Sequence, residues 1–350
     1  MAFVRHPGLL LIDEVQRAPE LLLPIKDTVD RDPRPGRFLL TGSARVLALA
    51  DLPDALPGRM ETIELWPLSQ GEIDGAPDGF VDAAFVHGAD LHLPGTSTRQ
   101  HYAARVVRGG YPDAVRRTDA RRRSRLFGSY VDAIVGKDVH ELTQITQLTE
   151  LRRLVTTVAA RAGSLLVPTN LAADLGAPRT TVGRYVDLLE AVFLIRRIPA
   201  WSSALTRRAV GTSKLVFTDS GLLCHVLGVD EDQLASPFTH AGHIVESFVL
   251  SELARQLDWS SSEVRLHHYR TRDGVEVDAL VERASGEVVG VEVKAGETVT
   301  GSDFAGLRHL AERVGDRFRA GFVLHLGVAS LPFGPRMRAL PLSALWEAQP

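Results

Sequence analysis

The run Gly8-Leu9-Leu10-Leu11-Ile12, closed by Asp13-Glu14, constrains this chain more than any other feature. Consecutive aliphatic residues without polar alternation specify a strand covered on both faces, as in a parallel sheet, and parallel neighbours must be joined by a crossover. The following residues supply one. Leu21, Leu22, Ile25 and Val29 recur at helical spacing within residues 19–30, and residues 37–41 form a second apolar run. A helix at 44–56 and a third strand at 62–65 extend the pattern into a helix-covered parallel sheet. Asp13 and Glu14 then stand at the carboxyl end of a buried strand, where open parallel sheets bind ligands.

A chain of 350 residues exceeds what one core usually serves. Pattern and composition divide it into a truncated P-loop-like core at 1–70, a helical linker region at 71–149, a winged-helix-like unit at 150–210, a nuclease-like α/β domain at 211–335 and a tail at 336–350. The 40 basic residues against 43 acidic ones leave a net charge of -3, so no global basic field announces nucleic acid. The single cysteine, Cys224, excludes an intrachain disulfide framework and a cysteine-rich zinc site, which points to a reducing compartment. With no run of ~18 apolar residues and no signal-peptide pattern, the expected location is cytoplasmic, without a membrane partner.

The acid pair carries the first chemical signal. In a nucleotide hydrolase the first acid holds magnesium and the second polarises the attacking water, so Asp13 and Glu14 are candidates for these roles. Thr41 or Ser43, ending the neighbouring strand, could sense a terminal phosphate, and Arg59 could add positive charge. Acids at strand ends also commonly just cap the next helix. Phosphate binding requires a Gly-rich loop followed by Lys and Ser or Thr. Only eight residues precede Leu9, and Gly136-Lys137 runs into Asp138, so ATP is expected as a ligand only if another segment supplies that loop. The chain reads as a fragment or as a truncated relative.

A second signal lies in the middle. Leu171, Ala172, Leu175, Val182, Tyr185, Leu188 and Leu189 form the apolar seams of two short helices around Gly176-Ala177-Pro178, and residues 193–198 follow as a strand. This order fits a small winged helix, in which Thr180, Thr181 and Arg184 would face DNA or RNA. Asp187 and Glu190 lower the local potential, and such modules also serve only to pack domains. Arg116, Arg117, Arg121, Arg122, Arg123 and Arg125 form a cluster that could neutralise phosphates or remain a solvated helix face.

The third signal is an acidic hairpin. Val275-Glu276-Val277-Asp278 and Val291-Glu292-Val293-Lys294 alternate, so Glu292 and Lys294 share a strand face. A turn around 284–287 brings Asp278 toward Glu292, and Glu246 on the long helix at 242–257 can approach. Asp278 and Glu292 would chelate magnesium while Lys294 stabilises the reacting phosphate. The order helix, three strands, helix, strand is that of a PD-(D/E)xK-type nuclease core. A charged, solvated hairpin face has the same pattern.

The passages Leu10 to Ala44, Leu56-Pro57-Gly58-Arg59, Gly110-Tyr111-Pro112, Thr180 to Leu189 and Asp219-Ser220-Gly221-Leu222 together resemble the prokaryotic AAA-like ATPases that carry a C-terminal DUF4143 domain. The resemblance covers nearly the whole chain. It implies Asp13 as the Walker B magnesium acid, Glu14 as the water-polarising acid and Thr41 as the sensor. Arg270 to Asp278 and Glu292-Val293-Lys294 look like that family's nuclease-like segment, which carries over Asp278, Glu292 and Lys294. The family's first strand, Walker A loop and following helix have no counterpart here. Three functions stay open: a nucleic-acid-associated remnant of an ATPase, a magnesium-dependent nuclease, and a non-catalytic interaction or regulatory protein with a protein partner.

Overall fold

The computed structural model describes residues 4, 6, 8–43, 58–76, 78–138, 148–202, 211–236 and 241–350. At the N-terminal end, β1 (Leu10–Ile12) and β2 (Phe38–Leu40) pair in parallel, Leu10 opposite Phe38 and Ile12 opposite Leu40, joined through α1 (Leu22–Arg31). The expected strand-helix-strand unit is therefore present. Val4, Val15, Leu22 and Ile25 are its buried core, with Ile12, Phe38 and Leu40 packed on them. Its other face is open: Leu9, Leu11 and Leu39 are 58%, 64% and 52% exposed.

The expected helix at 44–56 lies outside the described residues. Residues 62–65 do not become a third strand, because their neighbours hold them to the body of the molecule. Arg196 pairs with Glu64 at 3.3 Å and stacks over Trp66 at 4.4 Å, and the Trp66 indole N–H donates to Asp258 at 2.8 Å.

The middle of the chain is helical: α2 (Gln70–Asp74), α3 (Phe80–His87), α4 (Arg99–Arg108), α5 (Pro112–Val115) and α6 (Ala120–Ala133). Caps set several starts. Ser69 and Glu72 form a capping box at α2, and the Asp119 carboxylate accepts from the Arg122 amide at α6. Next come α7 (Leu148–Ala159), α8 (Pro168–Leu175) and α9 (Arg179–Ala191), with Gly176 closing α8 at φ 65°, a left-handed conformation that suits glycine. β3 (Ile195–Ile198) pairs antiparallel with β4 (Lys214–Phe217), and α10 (Ser220–Leu227) and α11 (Glu231–Ala235) follow.

Gly110-Tyr111-Pro112 and Asp219-Ser220-Gly221-Leu222, far apart in sequence, meet here. The buried Asp219 carboxylate accepts from the Leu222 amide, capping α10, and from the Gly110 amide, each at 2.7 Å. Gly110 is required by a separate close approach, that of Leu68, whose carbonyl oxygen would lie 2.1 Å from a Cβ there, and Gly109 by Asp219, whose Oδ1 would lie 2.4 Å from one.

The C-terminal part is a six-stranded sheet ordered β5-β6-β7-β8-β10-β9. It contains β5 (Val264–Arg270), β6 (Glu276–Arg283), β7 (Val288–Lys294), β8 (Phe318–His325), β9 (Leu331–Pro332) and β10 (Met337–Pro341). The β5-β6-β7 meander is antiparallel, whereas β7-β8 and β8-β10 are parallel. Residues 336–350, expected as a tail, thus supply a strand whose Ala339 and Leu340 are fully buried.

Helix α12 (Ala241–Gln256) covers one sheet face and α13 (Ala305–Val314) the other; α14 (Ala344–Glu347) packs near α12. The side chains alternate accordingly. Val289, Val291, Phe322 and Leu324 join the large core that includes α12, while Val288, Val323, Leu307 and Leu310 form a second core beneath α13. Backbone bonds between Trp201 and His268 (2.7 Å) and between His268 and Pro199 (3.0 Å) tie the segment after β3 to the edge strand β5. Among the described residues no helix is long and apolar enough to cross a membrane.

Candidate functional site

The hairpin acids come together because β6 is irregular. His267 faces Leu280 and Tyr269 faces Val277, so Asp278 and Ala279 share the single position opposite His268. Such a bulge re-aims a side chain. Ala279 pairs with Val291 in the neighbouring ladder, which sets Asp278 beside Glu292, and the Val293 amide donates to Asp278 Oδ2 at 3.0 Å. Glu246 arrives from α12.

At the centre stands a residue that the sequence reading missed. Lys214, first in β4, points its ammonium into this cluster: Nζ lies 2.6 Å from Glu246 Oε1, 3.0 Å from Asp278 Oδ1 and 3.0 Å from Glu276 Oε1. Its side chain is 1% exposed. A signal was available, because Lys214 is the one charge in a four-residue strand that is buried throughout. Lys294 does not join this group. It shares the expected face but is drawn to Asp303, 3.0 Å away, and remains 43% exposed.

Burial works against the Lys214 charge, yet Asp278 and Glu246 hold it protonated and push its pKa further up. Burial also opposes ionisation of Asp278, but Lys214 and a hydrogen bond from Glu292 outweigh it and hold this carboxyl low. Glu246 and Glu292 go the other way, raised first by burial and then by the neighbouring Asp278 charge. The result is a Lys214 ammonium held by Glu246, Glu276 and Asp278 together, with Glu292 beside Asp278 on the neighbouring strand. Chemically this is a cluster already occupied by a cation rather than an open chelate. Among the described residues no group of three or more His, Cys, Asp or Glu side chains is arranged to hold a metal ion.

The N-terminal acids sit in a contrasting setting. The Thr41 hydroxyl donates to Asp13 and accepts from the Glu14 amide at 3.3 Å, so the sensor candidate does reach the acid pair across β1 and β2. Glu14 adopts a left-handed backbone, φ 52°. Its carboxylate accepts from the Gln16 amide group and, at 3.2 Å, from the Ser43 amide; the Gln16 bond first, then Ser43 and Arg17, hold it below the ordinary range against partial burial. Arg59 is engaged by Asp30 of α1. Thr41, Ser43 and Arg59 line a cleft of about 1300 Å³, whose other wall includes Tyr111, Tyr130 and Phe193.

The arginine cluster divides. Arg123 is buried and pairs with Glu231 at 3.1 Å, and Arg117 lies 3.7 Å from Asp113. Arg116, Arg121, Arg122 and Arg125 are exposed. On α9, Thr180 and Arg184 are exposed and Thr181 half-buried, while Asp187 and Glu190 are both paired to Arg197, at 2.6 and 2.9 Å. The acids expected to depress the potential of that helix are thereby offset in part, two carboxylates sharing one guanidinium. Arg152 of α7 bridges to Asp132 of α6 at 2.9 Å.

Comparison with known proteins finds family models that these regions resemble. Residues 2–74 match an AAA domain, residues 99–233 a domain of unknown function, DUF8612, and residues 241–345 another, DUF4143. An uncharacterised protein of Mycobacterium tuberculosis is 28% identical over 291 residues, 83% of this chain and 59% of that protein, and one of Mycobacterium bovis matches with the same figures. An uncharacterised protein of Haemophilus influenzae is 24% identical over 261 residues, 73% of this chain and 58% of its own length. The chain thus spans under two thirds of the curated relatives it matches. No solved structure matches it at a significant level. With a match to an AAA domain at the start and to DUF4143 at the end, the order of the matched segments is that of the AAA/DUF4143 architecture.

Proposed function

We propose that this chain is a nucleic-acid-associated AAA-like protein that does not hydrolyse ATP by itself. The observation that carries the reading is the meeting of Asp13, Glu14 and Thr41 at the carboxyl ends of two parallel strands, which is the acid-and-sensor half of a nucleotide site. The 350 residues contain no Gly-rich loop followed by Lys and Ser or Thr, so the phosphate-binding half must come from another segment or chain. Magnesium would be held there by Asp13.

Nucleic-acid association is supported by the exposed Arg116, Arg121, Arg122 and Arg125, and by three helices followed by an antiparallel strand pair, the order of a winged helix. Fluorescence anisotropy with labelled duplex and single-stranded DNA and RNA tests it. Binding should weaken steeply with salt and vary little with sequence. A flat salt response, or unchanged affinity in an R121Q/R122Q/R125Q variant, refutes the assignment. Calorimetry should detect weak or no ATP binding, and micromolar binding that depends on magnesium and on Asp13 would contradict the ATP part of the reading.

A second reading, a magnesium-dependent nuclease with a PD-(D/E)xK-like core, is favoured by the bulge that sets Asp278 beside Glu292 and near Glu246. It requires Lys214 to vacate the cluster. Metal-dependent cutting by the native protein, lost in D278N and K294A and stopped by EDTA, would establish it; equal traces of cutting in all three proteins would mean contamination.

A further inference from the structure

The carboxylates that a nuclease would use for magnesium surround a cation already. We propose that Lys214 is the resident cation of the Glu246, Glu276, Asp278 and Glu292 cluster, excluding divalent metal from it, and that removing its ammonium converts the cluster into a divalent-cation site. This goes beyond the nucleic-acid-associated function, which does not depend on it.

The stereochemistry is complete as it stands. An ammonium has three N–H donors and no acceptor. Lys214 Nζ has three carboxylate oxygens at 2.6, 3.0 and 3.0 Å, contributed by α12 and by two positions of β6. These are hydrogen-bond distances; a magnesium or manganese ion in the same place would draw its oxygens to ~2.0–2.2 Å. The fourth acid, Glu292, stands beside Asp278 on the neighbouring strand, and no contact of 4.0 Å or less joins it to the Lys214 ammonium.

Nor can the ammonium withdraw easily. Lys214 pairs with Ile198 in the β3-β4 ladder and bridges to Leu165 on its other side, and the preceding Ser213 carbonyl accepts from the Leu166 amide at 2.7 Å. A cation tethered in this way is present at high effective concentration, and a free metal ion must outcompete it. Taking the ammonium away leaves the enclosed Glu246 and Asp278, with Glu292 beside them, without that counter-charge, while Glu276 keeps Arg270 at 2.6 Å; carboxylate oxygens are the donors that a hard cation prefers.

Manganese is the probe, and its electron paramagnetic resonance signal, which collapses when the free ion is bound, is the readout. The native protein, D278N, K214M and K214M/D278N are compared, with folding checked by circular dichroism. The native protein should leave the free-manganese signal where D278N leaves it. K214M should take up one manganese ion per chain, and K214M/D278N should lose that uptake. Uptake by the native protein that D278N abolishes would overturn the proposal, and so would a folded K214M that takes up none. The native arm decides against the proposal without any lysine variant, and K214Q serves if K214M does not fold. None of these outcomes bears on nucleic-acid binding through α6.

Discussion

Asp13-Glu14 and Asp278-Glu292 raise the same expectation from sequence, paired carboxylates placed by apolar strands, but the protein treats them in opposite ways. The first pair is open to solvent and satisfied by neutral donors: a threonine hydroxyl, a glutamine amide and backbone N–H groups. The second is largely enclosed, Asp278 beside Glu246 of α12 and Glu292 close to Gly306 of α13, and Asp278 is satisfied by an internal lysine. Water supplies the missing compensation for an exposed acid, whereas a buried one must bring its counter-charge with it. The environment, and not the motif, decides which acids can receive a metal.

The largest expected effect comes from removing that counter-charge. K214M should destabilise the fold by about 3–5 kcal/mol, the cost typical of breaking a buried ion pair by deleting one partner, read as a shifted midpoint in urea. Adding D278N and E246Q to it should recover part of the loss, because fewer uncompensated acids then remain buried. If K214M costs no more than an ordinary surface change, the contrast between the two acid pairs fails.

Next in size is the electrostatic surface. The R121Q/R122Q/R125Q variant should lower the slope of log affinity against log salt by about 2–3, since each phosphate left without its arginine removes ~0.9. An unchanged slope would return α6 to a solvated face.

A third test extends the rule for buried acids to Glu252, which is fully buried beside Arg255 and accepts from the Gln70 amide at 3.0 Å. Burial raises it to about 7, against the pull of Arg255. A carboxyl raised in the folded state contributes stability that is complete below its ordinary value of 4.5 and is lost as pH rises through about 7. Asp219 and Asp78, also raised by burial, act in the same direction. The melting temperature should therefore fall between mildly acidic and neutral pH, and E252Q should flatten that fall; an identical profile in both proteins would remove Glu252 from the account. The smallest effect belongs to the open pair, where D13A should change stability by no more than about 0.5 kcal/mol.

Periodicity made much of this architecture legible. The strand, helix and strand at the N-terminus, the helix order around Gly176, and the elements from α12 to β8 in the C-terminal sheet follow from apolar spacing that local geometry obeys. The failures are long-range. Residues 62–65 have a strand's composition, but Arg196 and Asp258, more than a hundred residues away, hold Glu64 and Trp66 elsewhere. The Glu-x-Lys spacing correctly put Glu292 and Lys294 on one face, yet Asp303 captures that lysine while Lys214 enters from a strand of another sheet. Residues 337–341 read as part of a tail because nothing local announces that β8 needs a parallel neighbour.

The claim that Lys214 holds the place of a metal is tested most directly by a crystal structure of the native protein soaked in manganese, with anomalous differences collected near the metal's absorption edge. The account predicts no anomalous peak among Glu246, Asp278 and Glu292, and density for the Lys214 ammonium within hydrogen-bond reach of Glu246, Glu276 and Asp278. A peak ligated by Asp278 and Glu292, with the Lys214 side chain displaced, would contradict it.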